Sequence, residues 1–299
     1  MSSYLEANAR ERLQALLDTD SFVEILPPAL RIVSPHLGQL DAPVAFDDGV
    51  AIGRGRLHGE SVFVAAQEGG FMGGAVGEVH GAKLTGLLQL ALKERPYAVL
   101  LLLETGGVRL HEANAGLIAV SEVMRALLEV RAAGIPVIVL VGGSNGCFGG
   151  MGIVARCANA IVISEEGRLA MSGPEVIETA NGVEEFDSRD SALVWRTTGG
   201  KHRYLLGDCQ MLVADNVGAF RQSAFELVQQ CHADAAAIPL TLAGLEAEQQ
   251  LLQQRIASFG QAHDPLEIWT QLGVADAAGL PMLEADAFVA VAADVRLGV

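Results

Sequence analysis

The chain has 299 residues, of which 51% are hydrophobic, 5% aromatic and 34 glycine, and its 20 basic and 36 acidic side chains leave a net charge of −16. That length is enough for one large or two small domains, and the composition fits a packed Ala/Val/Leu/Gly-rich α/β unit rather than a disordered or disulfide-held chain. The negative balance excludes nucleic acid and anionic membrane as main partners, since both would repel it.

Residues 5–17 read as a short amphipathic helix, with Leu5, Ala9, Leu13, Leu16 and Leu17 inward and Arg10, Glu11 and Arg12 outward. Residues 22–40 carry Pro27, Pro28 and Pro35 and read as an irregular arm. From Val44 the texture changes. Residues 50–57 and 61–67 form a predicted hairpin around His58-Gly59. A glycine-rich turn follows, Glu68-Gly-Gly-Phe-Met-Gly-Gly-Ala-Val-Gly-Glu78, which opens a helix ended near Glu94 by Pro96. It has neither the Lys-Ser/Thr of a phosphate loop nor a dinucleotide glycine register, so it reads as close backbone packing against a ligand arm.

Residues 98–103 form a buried strand, residues 104–114 its loop with Gly106-Gly107, and residues 116–131 a helix with Leu117, Val120, Met124, Leu127 and Leu128 on one stripe. The same logic then repeats: an apolar strand from Val137 to Val141, a turn through Gly142 to Cys147, and a helix start at Gly149-Gly150. No charge lies between Arg131 and Arg156, but Gly134, Pro136 and these glycines break any spanning helix. A strand at 160–164, a short one at 168–171, and a helix begun by Pro174 come next. Residues 181–210 are polar; residues 211–213 read as a last strand, residues 217–230 as a helix, and the tail as helices over 245–259, after Pro265 and over 285–295. Regular βαβ alternation predicts parallel strands with right-handed crossovers.

If the two strands ending in Gly106-Gly107 and Gly149-Gly150 are neighbours, their amides can converge on one oxygen as an oxyanion hole for a thioester. Alternatively, each Gly-Gly pair is only a tight turn. Arg109 either grips a carboxylate or pairs with Glu112, and His111 is either a proton donor or a solvated loop histidine. Cys147, at a helix start, reads as a small residue in a crowded turn rather than a nucleophile. Lys201-His202-Arg203 is a basic island that could meet the phosphates of a carrier arm or an acidic carrier protein; a solvated patch is the other reading, and Arg54 and Arg56 compete for the role. The four cysteines show no C-x-x-C pair, which points to a reducing, cytoplasmic setting without zinc or disulfide framework.

Four motifs occur together and in order: residues 67–78, Thr105-Gly-Gly-Val-Arg-Leu-His-Glu112, Phe148-Gly-Gly-Met-Gly152 and Gly173-Pro-Glu-Val-Ile-Glu178. In this order and spacing they resemble the acyl-CoA carboxyltransferase domains of the crotonase superfamily, and within it the beta-subunit family of biotin-independent malonate decarboxylases. The resemblance covers roughly residues 44–216. It implies an α/β, crotonase-like (ClpP/crotonase) fold of repeated ββα units, divided into an arm (1–43), the carboxyltransferase N-type domain (44–234) and a helical extension (235–299) of the same globular unit. It further implies decarboxylation of malonyl-S-acyl carrier protein to the acetyl thioester and carbon dioxide, with a gamma subunit supplying a second crotonase-like chain. No biotin, no metal and no membrane are implied. By position it carries the oxyanion role to Gly106, Gly107, Gly149 and Gly150, and substrate contacts to Arg109, His111, Gly73, Gly74, Phe148 and Met151. Two alternatives stay open: a carboxyltransferase subunit of a biotin-dependent system, and a non-catalytic scaffold that only binds a thioester carrier.

Overall fold

The computed structural model describes residues 2–298. Seven strands form one sheet in the order of the sequence: β1 (Val23–Ile25), β2 (Val50–Leu57), β3 (Glu60–Gln67), β4 (Ala98–Leu102), β5 (Val137–Val141), β6 (Ala160–Ser164) and β7 (Met211–Val213). The helices are α1 (Ala9–Leu16), α2 (Glu78–Glu94), α3 (Ala115–Ala132), α4 (Gly150–Cys157), α5 (Pro174–Asn181), α6 (Ser191–Thr198), α7 (Gly200–Leu205), α8 (Val217–Ala233), α9 (Leu242–Phe259), α10 (Pro265–Gln271) and α11 (Ala285–Ala292).

The strand sequences dictate the layering. β4, β5 and β6 are unbroken apolar runs buried along their whole length, as expected of parallel strands covered on both faces. Successive side chains go to opposite faces: Val99, Leu101, Val137 and Val139 enter one core with α2, α3 and α4, while Leu100, Leu102, Ile138 and Leu140 enter another with α1 and α8. Strands β3 to β7 pair in parallel and β1 to β3 antiparallel. The β2–β3 hairpin turns on His58 and Gly59, both at positive φ (50° and 86°), the pattern of a two-residue loop matched to strand twist.

Several expectations are corrected. Arg12 does not face outward: it is 2% exposed and paired with the buried Glu104. Residues 23–25, in the supposed irregular arm, add strand β1 to the sheet edge. The polar stretch 181–210 holds α6, capped by Asp190, and α7, which buries Tyr204 and Leu205. Residues 168–171 make isolated bridges from Arg168 and Leu169 instead of a strand. Leu117 is 56% exposed; the buried stripe of α3 runs through Ala119, Val123 and Leu127.

Candidate active site

All parallel strands end at the same edge, so the turns after β3, β4 and β5 meet there. In the first, Met72, Gly73 and Gly74 all take positive φ, and a Cβ on Gly74 would lie 1.8 Å from the Glu104 carbonyl oxygen. Only glycine lets the chain pass this close. The Gly73 carbonyl accepts from the Gly106 amide (2.9 Å), and Val76 bridges Val108, which ties the first turn to the second. Thr105 donates its amide to the Gly146 carbonyl (2.8 Å) and accepts from the Phe148 amide (2.9 Å), which ties the second turn to the third. A Cβ on Gly149, at φ 65°, would sit 3.1 Å from the Gly107 Cα. The two Gly-Gly pairs therefore touch, as expected from neighbouring strands.

Their amides are not equivalent, and this corrects the four-glycine expectation. Gly106 donates to Gly73, Gly107 to the Thr105 hydroxyl (3.0 Å) and Gly149 to the Met171 carbonyl (2.9 Å). The amides of Gly150 and Met151, at the start of α4, have no hydrogen-bond acceptor among the described residues. A helix start carries about half a positive charge, so these donors favour an anion. Across the contact, Val76 bonds the Gly107 carbonyl and the Arg109 amide. Alternation along an extended strand then turns the Val108 N–H to the other side, towards the third turn.

Behind the turns lies a buried polar network. The Glu104 carboxylate accepts from Arg12, from the Ser144 hydroxyl (3.1 Å) and from the amide and side chain of Asn145 (both 3.2 Å), so a residue of the second turn holds the third. Its amide donates to Gln67 (3.0 Å), Gln67 donates to His80 Nε2 (3.1 Å), and His80 Nδ1 donates to the Asp48 carbonyl (3.1 Å). Burial, aided by Arg109, holds His80 neutral with its pKa near 3.

Arg109 belongs to this network and not to a substrate surface. It is 1% exposed, with Nη1 on both Asp48 oxygens (2.8 Å each) and on Glu112 (3.2 Å), Nε on Ala75 and Nη2 on the Asp48 carbonyl. His111 lies exposed on the turn beside it. The Met151 side chain is in the core, and Cys147 is fully buried with its thiol pushed up to about 12 by desolvation. Arg54 and Arg56 sit on β2 beyond its middle, towards the hairpin, and bond Glu94 and the Gly59 carbonyl; neither reaches the turns. Lys201 is held by the carbonyls of Pro281 (2.8 Å) and Leu283 (2.6 Å) and by Glu165 (3.3 Å); Arg203 is held by Asp208 and Thr197.

A further cation, missed by the sequence reading, lies beside the third turn. Arg168 lies over the buried Phe148 ring (5.7 Å) and over Trp195 (4.7 Å), with one bond to the Ser144 carbonyl and its buried Nε without a partner among the described residues. Desolvation holds its pKa below the usual arginine range, with Glu175 opposing. Trp195 continues into a cavity of about 640 Å³ lined by Glu165, Lys201, Leu266 and Trp269. The signal was present in the sequence, an isolated arginine between Gly167 and Leu169, but nothing in its spacing marked it.

Residues 6–226 match the carboxyl transferase domain. The chain belongs to that family. It is 40% identical to the malonyl-S-ACP:biotin-protein carboxyltransferase of Malonomonas rubra over 96% of this chain and 95% of that one. It superposes on a chain of a Pseudomonas malonate decarboxylase hetero-tetramer, in a complex with malonate, with a TM-score of 0.74 and 41% identity over 77% of this chain and 84% of that one. Against the transcarboxylase 12S structure the TM-score is 0.63 and the identity 26%, over 74% of this chain and 40% of that one. The crotonase-like fold expected from the motifs is thereby shown, and the relatives act on carboxyl groups. Among the described residues no helix is long and apolar enough to cross a membrane.

Proposed function

We propose that this chain is the thioester-holding half of a malonate decarboxylase, acting on malonyl-S-acyl carrier protein together with a gamma-type crotonase-like chain, in the cytoplasm. Loss of the carboxylate as carbon dioxide leaves an enolate on the thioester. The enzyme must therefore hold the thioester oxygen, and removing one such donor typically costs about 3–4 kcal/mol of transition-state stabilisation. The observation that carries the reading is the pair of amides at Gly150 and Met151 that have no acceptor among the described residues, directly after Gly149, where the two Gly-Gly turns touch. C–C cleavage needs no strong base, only a proton for the carbanion, and exposed His111 or the partner chain supplies it.

Arg168 meets the anionic part of the substrate, and the cavity beyond Trp195 takes the carrier arm. Exposed Leu117, Ile118, Ile153, Met171 and Val176, on and after the elements that carry the turns, form the surface for the second chain. The extensive match to the Malonomonas relative, named for carboxyl transfer to a biotin protein, favours one second reading: the same pocket handing the carboxyl group to biotin. Release of carbon dioxide from malonyl-S-acyl carrier protein by this chain and its partner, biotin-free and with avidin added, separates the two. Avidin-insensitive release supports direct decarboxylation; release that needs a biotinyl protein assigns carboxyl transfer.

A further inference from the structure

At the sheet edge opposite the glycine turns, the ends of α3 and α4, the start of β6 and the outer helix α9 enclose a second cavity of about 300 Å³. Three guanidinium groups, from Arg131, Arg156 and Arg255, line it against one carboxylate, Glu248, on a chain whose net charge is −16. Glu248 is already paired with Arg156 (2.9 Å), and Arg255 with Asp208 (2.9 Å). Arg131 has no carboxylate partner among the described residues.

Arg131 is 6% exposed, and its Nε and Nη1 donate only to the carbonyls of Ile238 (2.9 Å), Cys157 (2.6 Å) and Ala158 (3.3 Å). Its Nη2 makes no hydrogen bond among the described residues. Burial without a counter-charge is costly for a cation that cannot lose its proton, and desolvation lowers the Arg131 pKa accordingly. Gln210 adds a second donor: its side-chain oxygen accepts from the Ile161 amide (2.7 Å), and its Nε2 makes no hydrogen bond among the described residues. Apart from Asn159, whose side chain is engaged by the Val137 amide and the Ile238 carbonyl, the rest of the wall is mostly aliphatic, with Ala155, Ile161, Leu251 and Leu252.

We propose that this cavity binds a small organic anion, a carboxylate on a short aliphatic chain, with Arg131 and Gln210 as its donors. The volume is at the lower end of ligand pockets, and the apolar wall suits an aliphatic tail better than a free phosphate. α4 spans only about 12 Å at 1.5 Å per residue, so the ligand would rest at the far end of the helix whose first amide faces the thioester. The inference asserts binding alone and stands whether or not the thioester reading does.

Thermal unfolding of the full chain with sodium butyrate, with sodium chloride at matched ionic strength and with inorganic phosphate tests it. A ligand that binds only the folded state raises Tm in a saturable way. Butyrate is expected to do so and the two inorganic salts are not. Leu251→Trp fills the cavity from the exposed helix α9 while leaving Arg131 in place; it is expected to abolish the butyrate effect and to keep a cooperative transition without ligand. Arg131→Gln is expected to weaken butyrate binding at least about tenfold, one decade for each 1.4 kcal/mol of lost charge-assisted bonding. No saturable rise with butyrate, the same rise in Leu251→Trp, or a larger rise with phosphate would overturn the proposal.

Discussion

Gly106-Gly107 and Gly149-Gly150 are the same dipeptide after the same kind of strand, yet the chain uses them differently. Both amides of the first pair are engaged inside the protein, by Gly73 and Thr105, and its backbone serves to join three turns. In the second pair only Gly149 is engaged, and a helix begins at Gly150, so Gly150 keeps an open N–H. What differs is the element that follows. The first pair runs on into an extended bridge and a tight turn, the second straight into α4, and a helix start always leaves amides without intrahelical partners.

The largest expected effect breaks what holds both turns. Glu104→Ala leaves Arg12 buried and unpaired and frees Ser144 and Asn145, so it should destabilise by about 3–5 kcal/mol in urea unfolding. A loss under about 1 kcal/mol would mean that Glu104 does not join the turns. Next, Arg168 and Arg109 should part company. Arg168→Gln is expected to raise KM by about 10–100-fold, the worth of one charged hydrogen bond, with little change in Tm. Arg109→Gln should cost stability by leaving Asp48 and Glu112 buried without their cation, while the KM of the folded fraction stays put. The reverse pattern would restore Arg109 to the substrate.

Two buried histidines add a pH effect: His80, in the network behind the turns, and His202, which accepts from Trp269 Nε1 (3.0 Å). His80 and His202 have folded pKa values near 3, below the ordinary 6.5, so the unfolded chain binds their protons first. Their contribution is complete above pH 6.5 and is lost as pH falls towards 3, by up to about 1.4 kcal/mol per histidine per pH unit. Urea unfolding between pH 7.5 and 5 should show a slope that His202→Gln reduces; an unchanged slope would contradict the assignment. The smallest effect is expected at Gly106. A Cβ there meets only the Gly73 oxygen at 3.7 Å, an ordinary contact, so Gly106→Ala should change stability by no more than about 0.5 kcal/mol and leave turnover near wild type.

The sheet was legible because its strands are unbroken apolar runs and its turns are dense in glycine. β5 and β6 lie within a residue of where periodicity puts them. Residues 191–205 were not, since polar residues such as Arg196, Thr197, Lys201 and Arg203 hide the hydrophobic ones that pack, Val194, Tyr204 and Leu205. At the site, the meeting of the two Gly-Gly turns followed from strand order alone. Which amide stays open did not, because that depends on Gly73, Thr105 and Met171, which are brought together only by folding. Of the two readings of Arg109, the pair with Glu112 forms, while its main partner Asp48, 61 residues away, was not legible, because an arginine beside a glycine turn looks the same whether it faces substrate or core.

The most direct test compares Gly150→Pro with Gly150→Ala in carbon dioxide release from malonyl-S-acyl carrier protein, each with the partner chain. Both introduce the same Cβ, 2.7 Å from Val120 Cγ1, so both variants carry the same packing cost and the comparison cancels it. Proline suits the first helical position and differs in lacking the N–H. A kcat about 10²–10³-fold lower for the proline variant than for the alanine variant, with both folded, is the predicted result. Equal turnover would contradict a catalytic role for the Gly150 amide.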